Sequence, residues 1–220
     1  FPVSARGIKE GDFTMVFGYP GATSEYVPSY HIEMVKNYVN PKMIEIRSRK
    51  IDIMEEAMKT DPLIRIQYSA KKSGLANSWK KWIGENQGLD RMGTIDKKRD
   101  YEQQLVQWIN SDPALTTKYG RILPSYKELY GRLKEYNLVY SYTNEVFFNS
   151  GAEAVGFARN IQTLAELVRN KDDEDRITAA KINLAAVASA FFRNYNVETD
   201  KKLFVAVMEL YGKSIDDDWL

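Results

Sequence analysis

Asn149, Ser150 and Gly151 are the first residues to weigh as chemistry, because a serine hydroxyl followed by glycine lets backbone N–H groups approach an oxyanion. Glu153 follows Ser150 by three residues and no upstream glycine gives the nucleophile-elbow spacing, so Ser150 reads as the N-cap of a helix. The single histidine, His31, has Tyr26 and Glu33 close in sequence, from which a general base is conceivable. A lone histidine on a helix is more commonly packed or solvated. The acidic runs at 172–175 and 216–218 offer carboxylates to a cation, but neither carries the glycine and terminal glutamate of a calcium loop. The first suits the N-terminus of the helix after it, and the second reads as a solvated tail. Lys71, Lys72, Lys80 and Lys81 lie beside Trp79 and Trp82, the nearest approach in the chain to a basic and aromatic nucleic-acid surface. Tryptophans three residues apart more often face a core, with lysines on the wet side. Asn77, in the run Leu75, Ala76, Asn77, Ser78, Trp79, is an amide beside an aromatic and small-residue surface, and spacing alone gives it no role.

Composition narrows these options. Lys plus Arg number 31 against 30 Asp plus Glu, a formal charge of +1, so the basic excess that drives nucleic-acid binding is missing. The 220 residues, 44% of them hydrophobic, suffice for one large or two small domains. No run of about 18 apolar residues is present that would span a bilayer as a helix. With no cysteine, disulfides, thiolate catalysis and zinc–thiolate sites are excluded, while the compartment stays open. One histidine leaves little for a metal site, and a serine, histidine and acid triad would have to use that imidazole. No cofactor is called for. The chain begins with Phe1, with no signal-peptide pattern near it, and is expected to be a processed chain or an excised piece.

The elements that must position these residues fall into two unequal regions. Residues 1–28 hold 4 of the 13 glycines and 3 of the 7 prolines. Within them, Phe13, Met15 and Phe17 alternate with Thr14 and Val16, the period of a strand, and Gly18, Tyr19, Pro20, Gly21 suits a type II turn. Beyond Pro28 the pattern is helical. Asn40 before Pro41 reads as an N-cap, and Ile44, Ile51, Met54 and Met58 follow at heptad-like spacing until Asp61 and Pro62. A long helix is predicted over 63–85, punctuated by Gly88, and another over 95–109, with Ile95, Leu105, Trp108 and Ile109 apolar and Asp112 and Pro113 ending it. Residues 116–124 read as loop. Ser125 with Glu128, like Ser150 with Glu153, has capping-box spacing. The last two helices, about 174–194 and 199–211, carry buried stripes at Ile177, Leu184, Val187, Phe191 and at Leu203, Phe204, Val207, Leu210, Tyr211. The expected fold is mainly α, seven or eight helices with a short N-terminal β segment.

The run from Gly7 to Thr23, with Gly11, Asp12, the strand and Gly18, Tyr19, Pro20, Gly21, resembles bacterial dipeptidyl-peptidases of serine-peptidase family forty-six. So do 75–89, with Ala76, Asn77, Trp79, Lys80, Ile83, Gly84, Asn86, Gly88 and Leu89, and the stretch from Thr199, Asp200 and Lys201 through Tyr211. The resemblance implies a chymotrypsin-like double β-barrel with a helical domain inserted in its sequence. Residues 1–28 would then be a barrel strand and turn, and 29–220 the inserted helical domain that caps the cleft. The catalytic His and Asp are expected before Phe1 and the Ser after Leu220, so this chain would carry no catalytic residue and be inactive by itself. Asn77 matches the family's helical-domain asparagine in its Ala-Asn-x-Trp-Lys context and is expected to bind the substrate's free amino terminus. An amide carbonyl accepts from an ammonium group without the desolvation cost of a second charge. Ser24 and Glu25 stand where relatives often carry Asn-Arg, and Ser78 and Lys81 replace a Tyr and an Asn of the tryptophan motif.

The resemblance further implies peptide substrates, the barrel as a partner, a homodimer, and a periplasmic, cell-surface or secreted location; from composition, no nucleic acid, membrane span or metal is expected. Two rival readings stand beside it: an independent helical module that binds a partner through an apolar groove, and a nucleic-acid binder using the surface from Lys71 to Trp82. Outside a barrel, the strand at 12–17 is expected to pack on the helices or pair with a neighbouring chain.

Overall fold

The computed structural model describes residues 4–15, 17–18, 21–148 and 151–215. Those before Ser29 form neither helix nor strand. The strand expected at 12–17 is not formed where the segment is described, and Phe13 and Phe17, 89% and 94% exposed, do not pack on the helices. An extended segment is held by a ladder partner, and no strand occurs among the described residues to provide one. Val16, the turn positions Tyr19 and Pro20, and the acidic run at 216–218 lie outside the described residues.

From Ser29 onward the chain is helical. Ser29–Met34 (α1), a wider π-helical segment Val35–Val39, and Asn40–Thr60 (α2) run on without a break. Asn40 is not the N-cap that its place before Pro41 suggests: its backbone is helical, with φ −57° and ψ −44°. A proline inside a helix leaves a carbonyl of the preceding turn without its donor, and a widened turn absorbs that disruption. Within it the Lys36 carbonyl accepts from Asn86 Nδ2 at 3.3 Å. Buried Asn40 donates its side-chain amide to Glu85 Oε2 and Asn86 Oδ1, at 3.0 and 2.9 Å.

Asp61 breaks the helix as expected and caps Pro62–Arg91 (α3), accepting from the Leu63 amide at 2.7 Å. The punctuation expected at Gly88 does not occur: α3 passes through Gly84 and Gly88. The chain turns at Gly93, whose φ of 58° is the left-handed conformation that glycine adopts freely. Thr94–Asn110 (α4), Pro113–Tyr119 (α5) and Ile122–Thr143 (α6) follow. The loop expected at 116–124 is thus mostly helix. Thr116 and Thr117 do not interrupt it, because their hydroxyls return to the Asp112 and Pro113 carbonyls one turn back. Ser125 lies inside α6 rather than at its cap, its amide donating to the Arg121 carbonyl at 2.9 Å. After a second π-helical segment, Asn144–Phe148, come Glu153–Arg169 (α7), Glu174–Arg193 (α8) and Val197–Ser214 (α9). Asp173, in the acidic run, caps α8 by accepting from the Asp175 and Arg176 amides.

Helix α2 is the axis of the core. At one end Met43 and Ile46 meet Leu138 and Tyr142 of α6 and Val207 of α9. At the other, Ile51, Ile53 and Met54 meet Tyr68 and Leu75 of α3 and Leu203 of α9. Each such fully buried side chain contributes about 1.5–3 kcal/mol. Helices α7 and α8 contain no buried residue and pack chiefly on each other, Phe157 stacking on Phe191 at 4.5 Å. The stripe Ile177, Leu184, Val187, Phe191 is half-buried in that seam. No helix among the described residues is long and apolar enough to cross a membrane.

Candidate functional site

The tryptophans of α3 serve its packing. Both are half-buried, Trp79 donating its indole N–H to Ser48 Oγ at 2.8 Å and Trp82 lying 4.6 Å beneath the Arg47 guanidinium. Three of the neighbouring lysines face carboxylates: Lys71 meets Glu153 at 2.7 Å, Lys72 meets Glu55 at 2.8 Å and Lys81 meets Glu85 at 3.0 Å. A phosphate backbone would have to displace those partners.

Asn77 is on the outer side of the same helix and exposed. It shares that side with Ala70, Gly74, Lys81, Gly84 and Gly88, a 4-3-4-3-4 spacing that brings residues to one helical face. At Gly74, Gly84 and Gly88 a Cβ would meet nothing within 4 Å, so no contact among the described residues requires glycine there. The result is an accessible strip of helix in which three glycines flank Asn77 and Lys81.

Behind the strip is a pocket of about 420 Å³, with Arg47, Lys71, Gly74, Ser78 and Glu153 at its sides and Met54, Leu75 and Leu203 among its apolar lining. Asn77 does not line it. The pocket's charge is organised from α2 and the second π-helical segment. Arg47 grips Glu145 with Nη2 at 2.6 Å and Nε at 3.2 Å, and donates Nη1 to the Leu75 carbonyl at 3.1 Å. Lys50, fully buried, reaches Glu145 Oε2 at 2.9 Å and its backbone carbonyl at 2.6 Å. That carbonyl is in the last turn of the helix, where intrahelical donors run out. Burial alone would push the Glu145 carboxyl up, but Arg47 and Lys50 together hold it below the ordinary carboxylate value. Burial likewise lowers Lys50, against the pull of Glu145.

A second buried carboxylate, Asp200 of α9, caps α7 from a distance. It accepts from the Glu153 and Ala154 amides at 2.6 and 3.0 Å and from the Tyr195 hydroxyl at 3.1 Å. Burial, then the Asp200 charge, pushes the Tyr195 phenol up to about 12. The N-cap position itself is Ala152, which makes no side-chain cap, and Ser150 lies outside the described residues. Lys71 closes the junction by donating to Glu153 and to the Asn194 carbonyl.

His31 makes no ion pair among the described residues. Its ring meets Tyr130 edge-on at 5.6 Å, burial lowers its basicity against the influence of Glu85, and Glu33 is taken by Arg99 at 2.7 Å. Among the described residues no group of three His, Cys, Asp or Glu side chains is placed to hold a metal ion. The structure thus leaves Asn77 exposed and brings together three residues to which pattern reading gave no role, Arg47, Lys50 and Glu145, while Asp200, quoted only within the closing motif, caps α7. The signal for the first two was legible, because Met43, Arg47, Lys50 and Met54 repeat at 4-3-4 and put two cations on the apolar stripe of α2.

The Peptidase S46 family model matches residues 1–220. The chain belongs to that family. It is 34% identical over 219 residues to the Asp/Glu-specific dipeptidyl-peptidase of Flavobacterium psychrophilum, covering 100% of this chain and 30% of that one. A protein of the same name from Capnocytophaga gingivalis is 33% identical over 225 residues, with the same coverage. Dipeptidyl-peptidase 7 of Porphyromonas endodontalis is 31% identical over 218 residues, 99% of this chain and 25% of that relative. The chain therefore spans less than a third of the length of these S46 relatives.

Proposed function

We propose that this chain is the helical, non-catalytic part of an exported serine dipeptidyl-peptidase, capping the cleft and binding the amino terminus of the peptide from which a dipeptide is released. The relatives carry two different names, and dipeptide release is common to both. The observation that carries the capping role is the open face of α3. A glycine in a helix interior costs about 1 kcal/mol relative to alanine, and three of them on one face with free space above them gain nothing from the local packing. Their use is close approach: another backbone can lie against the helix there, beside Asn77. An asparagine carbonyl at that place accepts a hydrogen bond from an α-ammonium group, which sets the distance from the amino terminus to the scissile bond. Helix α3 makes a rigid mount, held against α2 by Trp79 and Leu75.

In this reading 12–17 is a strand of a chymotrypsin-like barrel, which covers Phe13, Met15 and Phe17, and the triad lies in the barrel outside these 220 residues. The Ser attacks the carbonyl after the second residue, with His as general base and barrel amides as the oxyanion hole. The test is Asn77→Ala in the longer peptidase. Loss of a charge-assisted hydrogen bond worth about 1.5–3 kcal/mol lowers kcat/KM by about 10- to 100-fold, mainly through KM, with the thermal transition unchanged. An unchanged kcat/KM removes Asn77 from the site.

A further inference from the structure

Helix α1 and the π-helical segment after it lie against α6, and a cavity of about 310 Å³ remains between them. Each wall is one helical face, because residues 30, 33, 34, 37 and 38 on one side and 127, 130, 131 and 134 on the other recur every three or four positions. Gly131 makes the room. It lies in the interior of α6, where glycine is disfavoured relative to alanine, and a Cβ there would meet nothing within 4 Å. A larger side chain would project into the cavity between Lys127 and Lys134, which stand about one turn to either side.

The charges around this space do not cancel. Glu33 is held by Arg99 at 2.7 Å. Glu102, in an adjoining cavity that shares Tyr30, Glu33 and Lys127, accepts from the Ser29 amide and hydroxyl, each at 2.7 Å. Lys127 and Lys134, in contrast, face no carboxylate among the described residues. Lys134 Nζ rests 3.8 Å from the centre of the Tyr38 ring, a cation–π contact that leaves its three N–H groups without an acceptor. The Asn37 carbonyl oxygen accepts from Lys36 at 3.3 Å, and its NH₂ group has no partner among the described residues. The hydroxyls of Tyr30, Tyr38 and Tyr130 have none there either. Both carboxylates are therefore engaged, and every unengaged polar group can donate.

We propose that this cavity binds an extended acidic peptide segment, with two carboxylate side chains at alternate positions meeting Lys127 and Lys134. A single small anion cannot meet both ammonium groups without drawing them together. Alternate side chains of an extended chain lie on one side, roughly 6.6 Å apart. The two lysines are seven residues apart, about 10 Å along α6, and their flexible four-carbon arms span the difference. Between them the Asn37 amide and the tyrosine hydroxyls can donate to the peptide's carbonyls. A solvent-exposed ion pair contributes little alone, so binding depends on both pairs together and weakens with salt. The site uses no residue of α3, and this inference does not depend on the peptidase reading.

The test uses the blocked tripeptide acetyl-Glu-Ala-Glu-amide, which has no free amino group for Asn77 to hold. Saturation-transfer NMR titration with the full-length protein is expected to show salt-sensitive binding. Replacing the peptide by acetyl-Gln-Ala-Gln-amide, or combining Lys127→Gln with Lys134→Gln, is expected to weaken it about tenfold or more. Gly131→Leu keeps every charge but fills the space and is expected to abolish it. Lys181→Gln, exposed on α8, is expected to leave it unchanged. If Gly131→Leu fails to fold, the lysine double variant still decides. No binding by the wild type, equal affinity for the glutamine peptide, or full binding by the double lysine variant or by folded Gly131→Leu overturns the proposal.

Discussion

Glu145 shows how much one side chain organises here. It is nearly buried and answers two cations, Arg47 and Lys50, so removing its charge leaves the buried Lys50 ammonium without a counter-ion. Breaking a buried pair in this way costs about 3–5 kcal/mol. Glu145→Gln is accordingly expected to lower unfolding free energy by that amount at pH 7 in urea titration. The pH dependence has a definite sign. The folded carboxyl is held below its ordinary value of 4.5, so its stabilisation is complete above that pH and is lost as pH falls through the lower folded value. The gap between wild type and Glu145→Gln should narrow on acidification, and a gap independent of pH would show that the effect is steric. Little of this is legible in the sequence. A charged residue next to Val146, Phe147 and Phe148 is visible there, but only folding brings it to α2.

At the scale of elements, Gly84 separates local stability from use. Its backbone is helical and nothing stands within 4 Å of where a Cβ would sit, so Gly84→Ala is expected to raise unfolding free energy by about 0.5–1 kcal/mol. In the longer peptidase the same methyl obstructs close approach at the Asn77 face, and kcat/KM falls. Stability and activity rising together would argue that the glycine strip is idle. Caps and breaks at Asp61, Asp112 and Asp173 were legible because each acts on the amides two or three residues ahead. Asn40 and Ser125 mislead for the complementary reason: capping residues also fit inside a helix when a tertiary partner or a neighbouring turn takes their hydrogen bonds.

Across the whole molecule, stability is graded outward from α2. Both core clusters pass through this helix, whereas α8 leans on α7 alone to any large extent among the described residues. Local opening therefore costs least in the hairpin. Amides of Glu174–Arg193 are expected to exchange with solvent faster than those of Asn40–Thr60, and hydrogen exchange followed by mass spectrometry checks it; equal protection would mean that the hairpin unfolds only with the core. By itself, the sequence determined the helical class, most helix positions and the family resemblance, because periodicity, aspartate caps and short motifs act over a few residues. Tertiary structure decided what surrounds each site residue. It buried Lys50 against Glu145, set Asp200 as the cap of α7 and turned Asn77 outward on a glycine face, since those outcomes depend on contacts between residues tens of positions apart that no local pattern records.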